Sequence, residues 1–325
     1  MSVMMNQRCY DVGAGYSRSM PNDAYAREEA ALLALLRFVD EPQTVSSLRH
    51  RFDEGKKPSD ILAGRAADEL FSLVETDEIL ERTKSEISGW RSQGIEIVTP
   101  FSRNYPAQLR TVFDYPLFLF AKGTVMDDLH SAAIVGSRAV TPRGIKFASD
   151  LAGMLAQDHI TVVSGLARGV DGAAHRGALD AGGRTVALIG TGIGKYYPPE
   201  HRDLHDEVAR KGLLLSQFWP GSGASRQSFP MRNITMSAYS SITVIAEASE
   251  NSGTRIQARA AIKHARPLVI TEEIADGTTW GAKFAGGGYD VTVVASPEEA
   301  RTAIRQILFR QDQMAESFGT TRNAL

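Results

Sequence analysis

The fold is decided by the stretch Ile134-Val135-Gly136-Ser137-Arg138, in which an apolar run stops at a glycine and passes into a polar turn. The pattern recurs at Val163-Ser164-Gly165-Leu166-Ala167-Arg168, and a helix-like segment follows with Asp171 and His175. Each copy is typical of a parallel strand whose carboxyl end leads into the N-terminus of a helix. Free backbone N–H groups gather at such a junction, so both stretches predict an anion site, above all for phosphate.

The same alternation of strands and helices continues from Ser131 to Arg310. Strands are predicted at residues 132–135, 161–164, 185–189, 213–216, 242–246, 267–270 and 291–294. Helices are predicted at residues 142–157, 171–181, 199–211, 232–240, 253–263 and 297–310. Short, unbroken apolar strands between helices indicate a parallel sheet that is covered on both faces. We therefore expect an α/β fold with a Rossmann-like, doubly wound, mostly parallel sheet.

The remainder of the chain predicts a small all-helical N-terminal domain and two tails. Residues 24–89 carry helical apolar periodicity and are interpreted as this domain, and residues 90–310 as the Rossmann-like domain. Residues 1–22 and 311–325 are expected to be flexible tails. The helical domain has two open interpretations, a helix-turn-helix module or a module for protein docking and packing.

Composition sets limits on the class of protein. The 325 residues are 43% hydrophobic and 23% charged with a formal net charge of −2, so any nucleic-acid site must concentrate its cations on one face. The single cysteine, Cys9, excludes an intramolecular disulfide and favours a reducing compartment, although a reactive thiol is an alternative. No apolar run predicts a membrane span or a signal peptide, so we expect a cytoplasmic protein.

Polar residues at the predicted strand ends form the candidate site for phosphate or DNA. Glycine lets a backbone approach closely, and arginine can bind phosphate through two hydrogen bonds. The alternative is that individual arginines pair with carboxylates on the surface. The candidate residues are Gly136, Ser137, Arg138, Ser164, Gly165, Arg168, Lys195, Tyr196, Arg232, Asn233, Ser252, Gly253, Thr254 and Arg255.

Several familiar motifs are absent from the sequence. The dinucleotide spacing Gly-x-Gly-x-x-Gly does not follow the first strand, and the run from Gly190 to Lys195 lacks the spacing and hydroxyl of a P-loop because Tyr196 follows. No metal-ligand spacing and no Gly-x-Ser-x-Gly elbow occur, so no cofactor and no metal are expected. Asp171 and His175 lie four residues apart and could form a catalytic dyad, but a helix-start Asp with a packed His is favoured.

The chain resembles the DNA-processing protein A (Smf) family over about residues 90–270. The resemblance rests on several motifs that occur in the family's order. They are Val135-Gly136-Ser137-Arg138, Val163 to Asp171 with His175, Gly182-Gly183-Arg184-Thr185-Val186-Ala187, Tyr197-Pro198-Pro199, Phe229-Pro230-x-Arg232-Asn233-Ile234, Glu247-Ala248 and Ser252-Gly253-Thr254.

The resemblance implies a protein that binds single-stranded DNA, helps load a RecA-type recombinase in natural transformation or recombination, forms a homodimer and is not an enzyme. It implies DNA contacts at Arg138, in the Lys195-Tyr196 loop and at Arg232. Bases would stack on Tyr196, Tyr197 or Phe229, unless these aromatic rings pack in the core. The sequence departs from the family pattern at Gln217, Ile234 and Gln257.

A second function class is a nucleotide-binding sensor or a phosphoribohydrolase-like enzyme of the same fold group, for example in a defence setting. Gly253-Thr254 provides the glycine turn of such hydrolases, but the next three residues supply no acid. Glu247 would have to reach the same pocket to replace it.

Overall fold

The computed structural model describes residues 22–37, 42–67 and 73–322, which form two compact units. The first unit ends at Ala121 and the second begins at Lys122. Residues 1–21 of the predicted N-terminal tail and the last three residues lie outside the described ranges.

The first unit contains four helices and an antiparallel strand pair. Its elements are α1 (Asn22–Arg37), α2 (Pro42–Asp53), α3 (Pro58–Ala67), α4 (Leu73–Ser92), β1 (Glu96–Val98), a short 3₁₀ helix (Ala107–Thr111) and β2 (Leu119–Gly123), in which the chain enters the second unit. In β1 and β2, Glu96 pairs with Ala121 and Val98 with Leu119.

The first unit extends past the predicted domain boundary at residues 89 and 90. That boundary falls inside α4, because the helix continues to Ser92. The Trp90 ring packs edge-on against Phe120 at 5.1 Å, and Arg91 donates to the buried Glu29 carboxylate at 2.6 Å. These contacts attach the residues after 89 to the helical part, and independent folding of residues 24–89 stays a prediction.

The second unit alternates strands and helices along the chain. Its strands are β3 (Ser131–Gly136), β4 (Thr161–Ser164), β5 (Thr185–Leu188), β6 (Leu213–Ser216), β7 (Ile242–Glu247), β8 (Leu268–Thr271) and β9 (Val291–Val294). Its helices are α5 (Pro142–Gln157), α6 (Val170–Asp180), a 3₁₀ turn (Pro199–His201), α7 (Arg202–Lys211), α8 (Ser228–Tyr239), α9 (Thr254–Lys263), α10 (Glu272–Gly277), α11 (Thr279–Gly286) and α12 (Pro297–Arg322).

The strands of the second unit confirm the predicted doubly wound α/β fold. They lie in the order β6-β5-β4-β3-β7-β8-β9, and every pairing between them is parallel. The chain starts at β3, adds strands on one side, and then returns to place β7 on the other side. The strand order therefore reverses between β3 and β7, and ligands of such sheets bind beyond the carboxyl ends at this point.

The core lies on both faces of this sheet. Ile134 of β3 and Val244 of β7 are fully buried, as expected for central strands that are covered on both sides. Helices α5 and α6 pack closely because Gly177 of α6 lies against the backbone of Ser149 in α5. A Cβ at residue 177 would overlap the Ser149 carbonyl oxygen, so this crossing requires glycine.

Four helices differ from the sequence-based expectation. Helix α8 begins at Ser228, not at residue 232, because Ser225 and Ser228 exchange hydrogen bonds and Pro230 is tolerated in a first turn. The short helices α10 and α11 were not predicted. Helix α12 continues to Arg322 through most of the expected C-terminal tail, since residues 311–318 contain neither proline nor glycine.

A buried polar network holds the amino ends of the strands together. The Asp128 carboxylate accepts hydrogen bonds from Thr161 Oγ1 at 2.8 Å, Arg184 Nε at 2.7 Å and the Tyr239 hydroxyl at 2.5 Å. Asp128 and Tyr239 are buried, and burial with the neighbouring carboxylate raises the pKa of the Tyr239 hydroxyl well above its usual range. Asp128 therefore links three segments at the edge opposite the candidate site.

Candidate functional site at the strand ends

A cleft of about 420 Å³ opens beyond the carboxyl ends of β3 and β7, beside the reversal of strand order. We call it the strand-end cleft. It is lined by Val135, Gly136, Ser137, Arg138, Ala139, Ala167, Asp171, Phe229, Pro230, Arg232, Asn233, Met236, Ser249, Ser252, Gly253, Thr254, Ile256 and Gln257. The structure thus brings Gly136, Ser137, Arg138, Arg232, Asn233, Ser252, Gly253 and Thr254 of the predicted site together.

Arg138 is an exposed cation at the rim of the strand-end cleft. Its guanidinium carbon lies 4.8 Å from the centroid of the Phe229 ring, which is the geometry of a cation–π contact. The preceding turn is held by Ser137, whose N–H donates to Glu247 O at 2.8 Å and whose Oγ donates to Ala139 O at 3.0 Å. Phe229 therefore orients a charge that faces solvent.

The N-terminus of α5 already holds an anion, which is the carboxylate of Glu247. Thr141 N donates to Glu247 Oε1 at 3.0 Å, and Thr141 Oγ1 donates to Oε2. Thr141 also caps the helix by accepting from Gly144 N at 3.1 Å. Glu247 and Thr141 therefore occupy the hydrogen-bonding groups at the start of α5. An external anion could bind only on the side of the turn that carries Arg138.

Arg232 lies at the back of the strand-end cleft and is only 5% exposed. Its Nη1 donates to Leu188 O at 3.2 Å and lies 3.7 Å from Asp171 Oδ2, and it passes directly over Gly165, where any side chain would collide with it. Burial lowers the pKa of Arg232 and raises the pKa of Asp171. The guanidinium still carries its charge at neutral pH, because arginine begins from a very high pKa.

The N-terminus of α9 forms the opposite wall of the cleft. Thr254 donates from Oγ1 to Ser252 Oγ at 2.7 Å, and Gly253 precedes the first helical residue. Gln257 follows one turn into the helix and is only 1% exposed. Its Nε2 lies 3.5 Å from Thr243 Oγ1, and its Oε1 has no hydrogen-bond partner within the described part of the chain.

The remaining predicted residues do not line the strand-end cleft. Ser164 is fully buried and donates to Ile134 O at 2.6 Å, and the exposed Arg168 pairs with Glu200. Gly165 lies directly beneath Arg232, which explains the glycine in the second motif. Lys195 is exposed on the loop after β5, and Arg255 is on the first turn of α9.

Tyr196 is directed towards α7, away from the strand-end cleft. Its hydroxyl donates to Asp206 at 2.9 Å, its ring lies edge-on to His205 at 4.8 Å, and Arg202 lies over it at 4.9 Å. Tyr197 instead packs against Phe229, with their centroids 5.3 Å apart, and is 41% exposed. Phe229 and Tyr197 are therefore the aromatic rings that adjoin Arg138.

The possible dyad of Asp171 and His175 is not formed. His175 is fully buried, and its Nδ1 lies 2.7 Å from Thr185 Oγ1, which itself donates to Val162 O at 2.9 Å. Since the Thr185 proton is used, the His175 ring must donate from Nδ1. Burial, with smaller effects of His201 and Arg232, lowers the pKa of His175 to about 3, so the imidazole is neutral at physiological pH. Asp171 faces Arg232 instead.

Sequence reasoning missed three features of this site: the Asp171–Arg232 pair, the stacking of Arg138 on Phe229, and the buried amide of Gln257. The first two depend on segments far apart in the chain. Gln257 carried a local signal, because a residue one helical turn after Gly253-Thr254 lies on the same face as the turn. The other departures lie outside the cleft lining: Gln217 accepts from Thr235 Oγ1, and Ile234 is 37% exposed.

The described residues contain neither a metal-binding cluster nor a helix that could span a membrane. Within residues 22–37, 42–67 and 73–322, no group of three or more His, Cys, Asp or Glu side chains is arranged to hold a metal ion. Across the same ranges, no helix has both the length and the apolar character needed to span a membrane.

Comparison with known proteins places the chain in a family. The model of the family described as DNA recombination-mediator protein A matches residues 96–286, which is more than half of the chain and includes every residue of the strand-end cleft. The chain belongs to the DNA recombination-mediator protein A family. This confirms the resemblance that the strand-end motifs indicated.

Relatives within the DNA recombination-mediator protein A family share about a third of their residues with this chain. DNA processing protein DprA of Streptococcus pneumoniae is 35% identical over 197 residues, which are 58% of this chain and 70% of that protein. DNA processing protein DprA of Bacillus subtilis is 32% identical over 196 residues, which are 60% of this chain and 66% of that protein.

Solved structures of family members have the same fold. The X-ray structure of DNA processing protein A from Streptococcus pneumoniae has a TM-score of 0.57 and 25% identity and covers 84% of this chain and 91% of that chain. A structure that describes the single-stranded DNA binding mode of DNA processing protein A from Helicobacter pylori has a TM-score of 0.56 and 26% identity. It covers 62% of this chain and 93% of that chain.

Proposed function

We propose that this chain binds single-stranded DNA at the strand-end cleft and acts as a mediator of recombination. The observation that carries the proposal is the exposed Arg138 guanidinium, held over Phe229 at the rim of a cleft that contains the buried cation Arg232. The Helicobacter pylori relative, whose single-stranded DNA binding mode has been described, supports the same ligand.

The chemistry of the strand-end cleft suits a single strand better than a duplex. Arg138 provides a charge-assisted contact for a phosphate at the rim of the cleft. Phe229 and Tyr197 offer ring faces on which an unpaired base can stack. Neither kind of contact reads a particular base, so binding at the rim is expected to tolerate any sequence.

We propose that the protein is not an enzyme. Glu247, the acid that would have to replace the missing hydrolase carboxylate, is engaged with the backbone and hydroxyl of Thr141. Asp171 faces Arg232, and His175 is fully buried and neutral. These engagements leave the candidate acids and bases of the site without a position from which to transfer a proton.

We further propose a cytoplasmic homodimer that helps to load a RecA-type recombinase onto single-stranded DNA. The support for this role is membership of a family described as recombination mediators. A test is the rate at which a RecA-type recombinase nucleates on oligonucleotides already covered by a single-strand-binding protein. The proposed role requires a faster rate with this chain present, and an unchanged rate would exclude it.

Binding itself is tested by fluorescence anisotropy with labelled single-stranded DNA, with a duplex of the same length as the control. We expect tight binding of the single strand that weakens as salt rises, and weaker binding of the duplex. Absence of binding at low salt would contradict the proposal.

A further inference from the structure

Glu247 of β7 holds both ends of the turn that carries Arg138. This turn, residues 137–141, joins β3 to α5, and we call it the Arg138 turn. At its start, Ser137 N donates to the backbone oxygen of Glu247 at 2.8 Å. At its end, Thr141 N donates to Glu247 Oε1 at 3.0 Å, and Thr141 Oγ1 donates to Oε2. One residue therefore fixes the distance between the two ends of the turn.

An irregularity in the sheet brings the Glu247 side chain to this turn. Val135 pairs with Ile245, but the next residue, Gly136, pairs with Glu247, so the register of β3 and β7 shifts by one residue. Shifts of this kind redirect a side chain at the end of a strand. Space for the carboxylate is provided by Gly144, where a Cβ would overlap Glu247 Oε2. The backbone around Glu247 is therefore shaped to admit its carboxylate at the start of α5.

The Glu247 carboxylate is not required to cap α5. Thr141 Oγ1 already accepts from Gly144 N at 3.1 Å, which is the usual N-cap bond. The bonds from Glu247 add a fixed position for the Thr141 backbone, three residues after Arg138. An exposed arginine on a fixed backbone loses less conformational freedom when it meets a phosphate. The carboxylate is thus placed to act on Arg138 through the turn.

We propose that Glu247 is a positioning residue for the binding of single-stranded DNA and that it acts only through Arg138. Its bonds to Ser137 and Thr141 place the Arg138 guanidinium over Phe229 at the rim of the strand-end cleft. In this role Glu247 makes no contact with DNA. The inference rests on the proposed function, since it names the residue that prepares the phosphate contact.

Two substitutions of Glu247 separate the reach of its side chain from its charge. Glu247→Gln keeps the length and an acceptor for Thr141 N, but removes the charge. Glu247→Asp keeps the charge and shortens the side chain by one carbon, so it cannot hold both ends of the Arg138 turn. Positioning predicts that the glutamine variant retains most of the affinity and that the aspartate variant loses about three- to ten-fold. A role of the charge alone predicts the opposite order.

The decisive measurement is a double-mutant cycle with Arg138→Ala, with affinities from fluorescence anisotropy of labelled single-stranded DNA. Combined with Arg138→Ala, Glu247→Asp should cause no further loss of affinity, because no guanidinium remains to be placed. In the presence of Arg138, Glu247→Asp should also reduce the slope of log K against log salt by up to about 0.7, which corresponds to one phosphate contact. Glu247→Gln should leave this slope unchanged.

Glu250 provides a matched control three residues further along the chain. Its carboxylate accepts from Thr279 N at 2.8 Å and from Thr279 Oγ1 at 2.5 Å, so it fixes the start of α11 as Glu247 fixes the start of α5. Glu250→Asp should lower the thermal midpoint about as much as Glu247→Asp does, and it should leave the affinity for DNA unchanged. All titrations are made below the thermal midpoint of the variant.

The outcomes distinguish the two proposals. A further loss of affinity from Glu247→Asp in the Arg138→Ala background, or an equal loss in Glu250→Asp, would show that Glu247 supports only the fold. A loss in Glu247→Gln with none in Glu247→Asp would show that its charge matters and its reach does not. These results overturn positioning and leave single-strand binding intact. Absence of binding by the natural protein, or an unchanged affinity in Arg138→Ala, would instead overturn the proposed function.

Discussion

Arg138 and Arg168 are two arginines in turns that follow strands, and the structure gives them different surroundings. Both lie shortly after a glycine at a strand end, and the sequence pattern predicts a phosphate contact for each. The structure separates them, because Arg138 lies over Phe229 at the strand-end cleft and Arg168 pairs with Glu200 outside it. Among the described residues no carboxylate forms an ion pair with Arg138, so its guanidinium is available to a phosphate.

The first prediction follows from this difference. Arg138→Ala should weaken single-stranded DNA binding by about 1–3 kcal/mol, because a charge-assisted phosphate contact is lost. Arg168→Ala is the matched control and should change the affinity by much less. Anisotropy titrations at one salt concentration measure both affinities. Equal losses of affinity in the two variants would show that Arg138 makes no specific phosphate contact.

The second prediction concerns the buried His175. Its pKa is about 3 in the folded chain, against 6.5 for an ordinary histidine. Below about pH 6.5 the unfolded chain therefore takes up a proton that the folded chain does not, and stability falls as the pH decreases towards 3. One such proton gives a slope of about 1.4 kcal/mol per pH unit in the free energy of unfolding.

Urea denaturation at pH 7, 6 and 5 measures this slope. His175→Asn keeps an amide near Thr185 and removes the titration, so its stability should depend less on pH than that of the natural protein. A slope in His175→Asn equal to that of the natural protein would contradict the assignment.

The sequence predicted single residues of the site only in part. It predicted Arg138 and Arg232 at the carboxyl edge of the sheet, and both line the strand-end cleft. It could not identify Asp171 as the partner of Arg232, since that contact joins residues that lie far apart in the chain. The family resemblance implies a DNA contact at Tyr196, but the loop directs its ring to α7.

At the scale of elements, the helices α5 and α6 show how close packing depends on glycine. Gly177 lies against the Ser149 backbone, whereas Gly153 in α5 has more space, since a Cβ there would be 3.6 Å from Gly177 O. Both glycines lie in the contact between α5 and α6, but only position 153 has space for a side chain.

The third prediction compares these two glycines. Gly177→Ala should destabilise the fold by about 1–3 kcal/mol, because the added carbon forces the helices apart. Gly153→Ala should be neutral or stabilise by up to about 1 kcal/mol, since alanine favours a helix and the space is sufficient. Chemical denaturation measures the free energy of unfolding of both variants. An unchanged value for Gly177→Ala would show that the two helices can move apart without loss of stability.

Secondary-structure elements were predicted best where the apolar pattern and the length of the segment indicate the same type of element. The strands of the parallel sheet are short apolar runs, and their positions follow directly from the sequence. The helices α10 and α11 are too short to show a clear period, so they were missed. The last residues of α12 were assigned to a tail because most of them are polar.

At the scale of the whole molecule, the formal charge and the proposed ligand have the same sign. The net charge is −2, yet the strand-end cleft contains Arg138 and Arg232. Attraction of DNA must therefore come from a few local cations, while the molecule as a whole gives no long-range attraction.

The fourth prediction is a shallow dependence of binding on salt. Each phosphate neutralised on a single strand contributes about −0.7 to the slope of log K against log salt, so two or three contacts give a slope of roughly −1.4 to −2.1. Anisotropy titrations over a salt series measure this slope, with a duplex as the control. A slope several times larger would require a broad basic surface elsewhere on the chain.

The network around Asp128 has a consequence for the order in which the chain folds. Its partners Thr161, Arg184 and Tyr239 lie 33, 56 and 111 residues along the chain. Contacts of such separation form after the local ones, because loop closure must come first. Asp128→Asn should therefore speed unfolding in stopped-flow experiments and leave the folding rate nearly unchanged. The edge of the sheet opposite the strand-end cleft would then determine the rate at which the native protein unfolds.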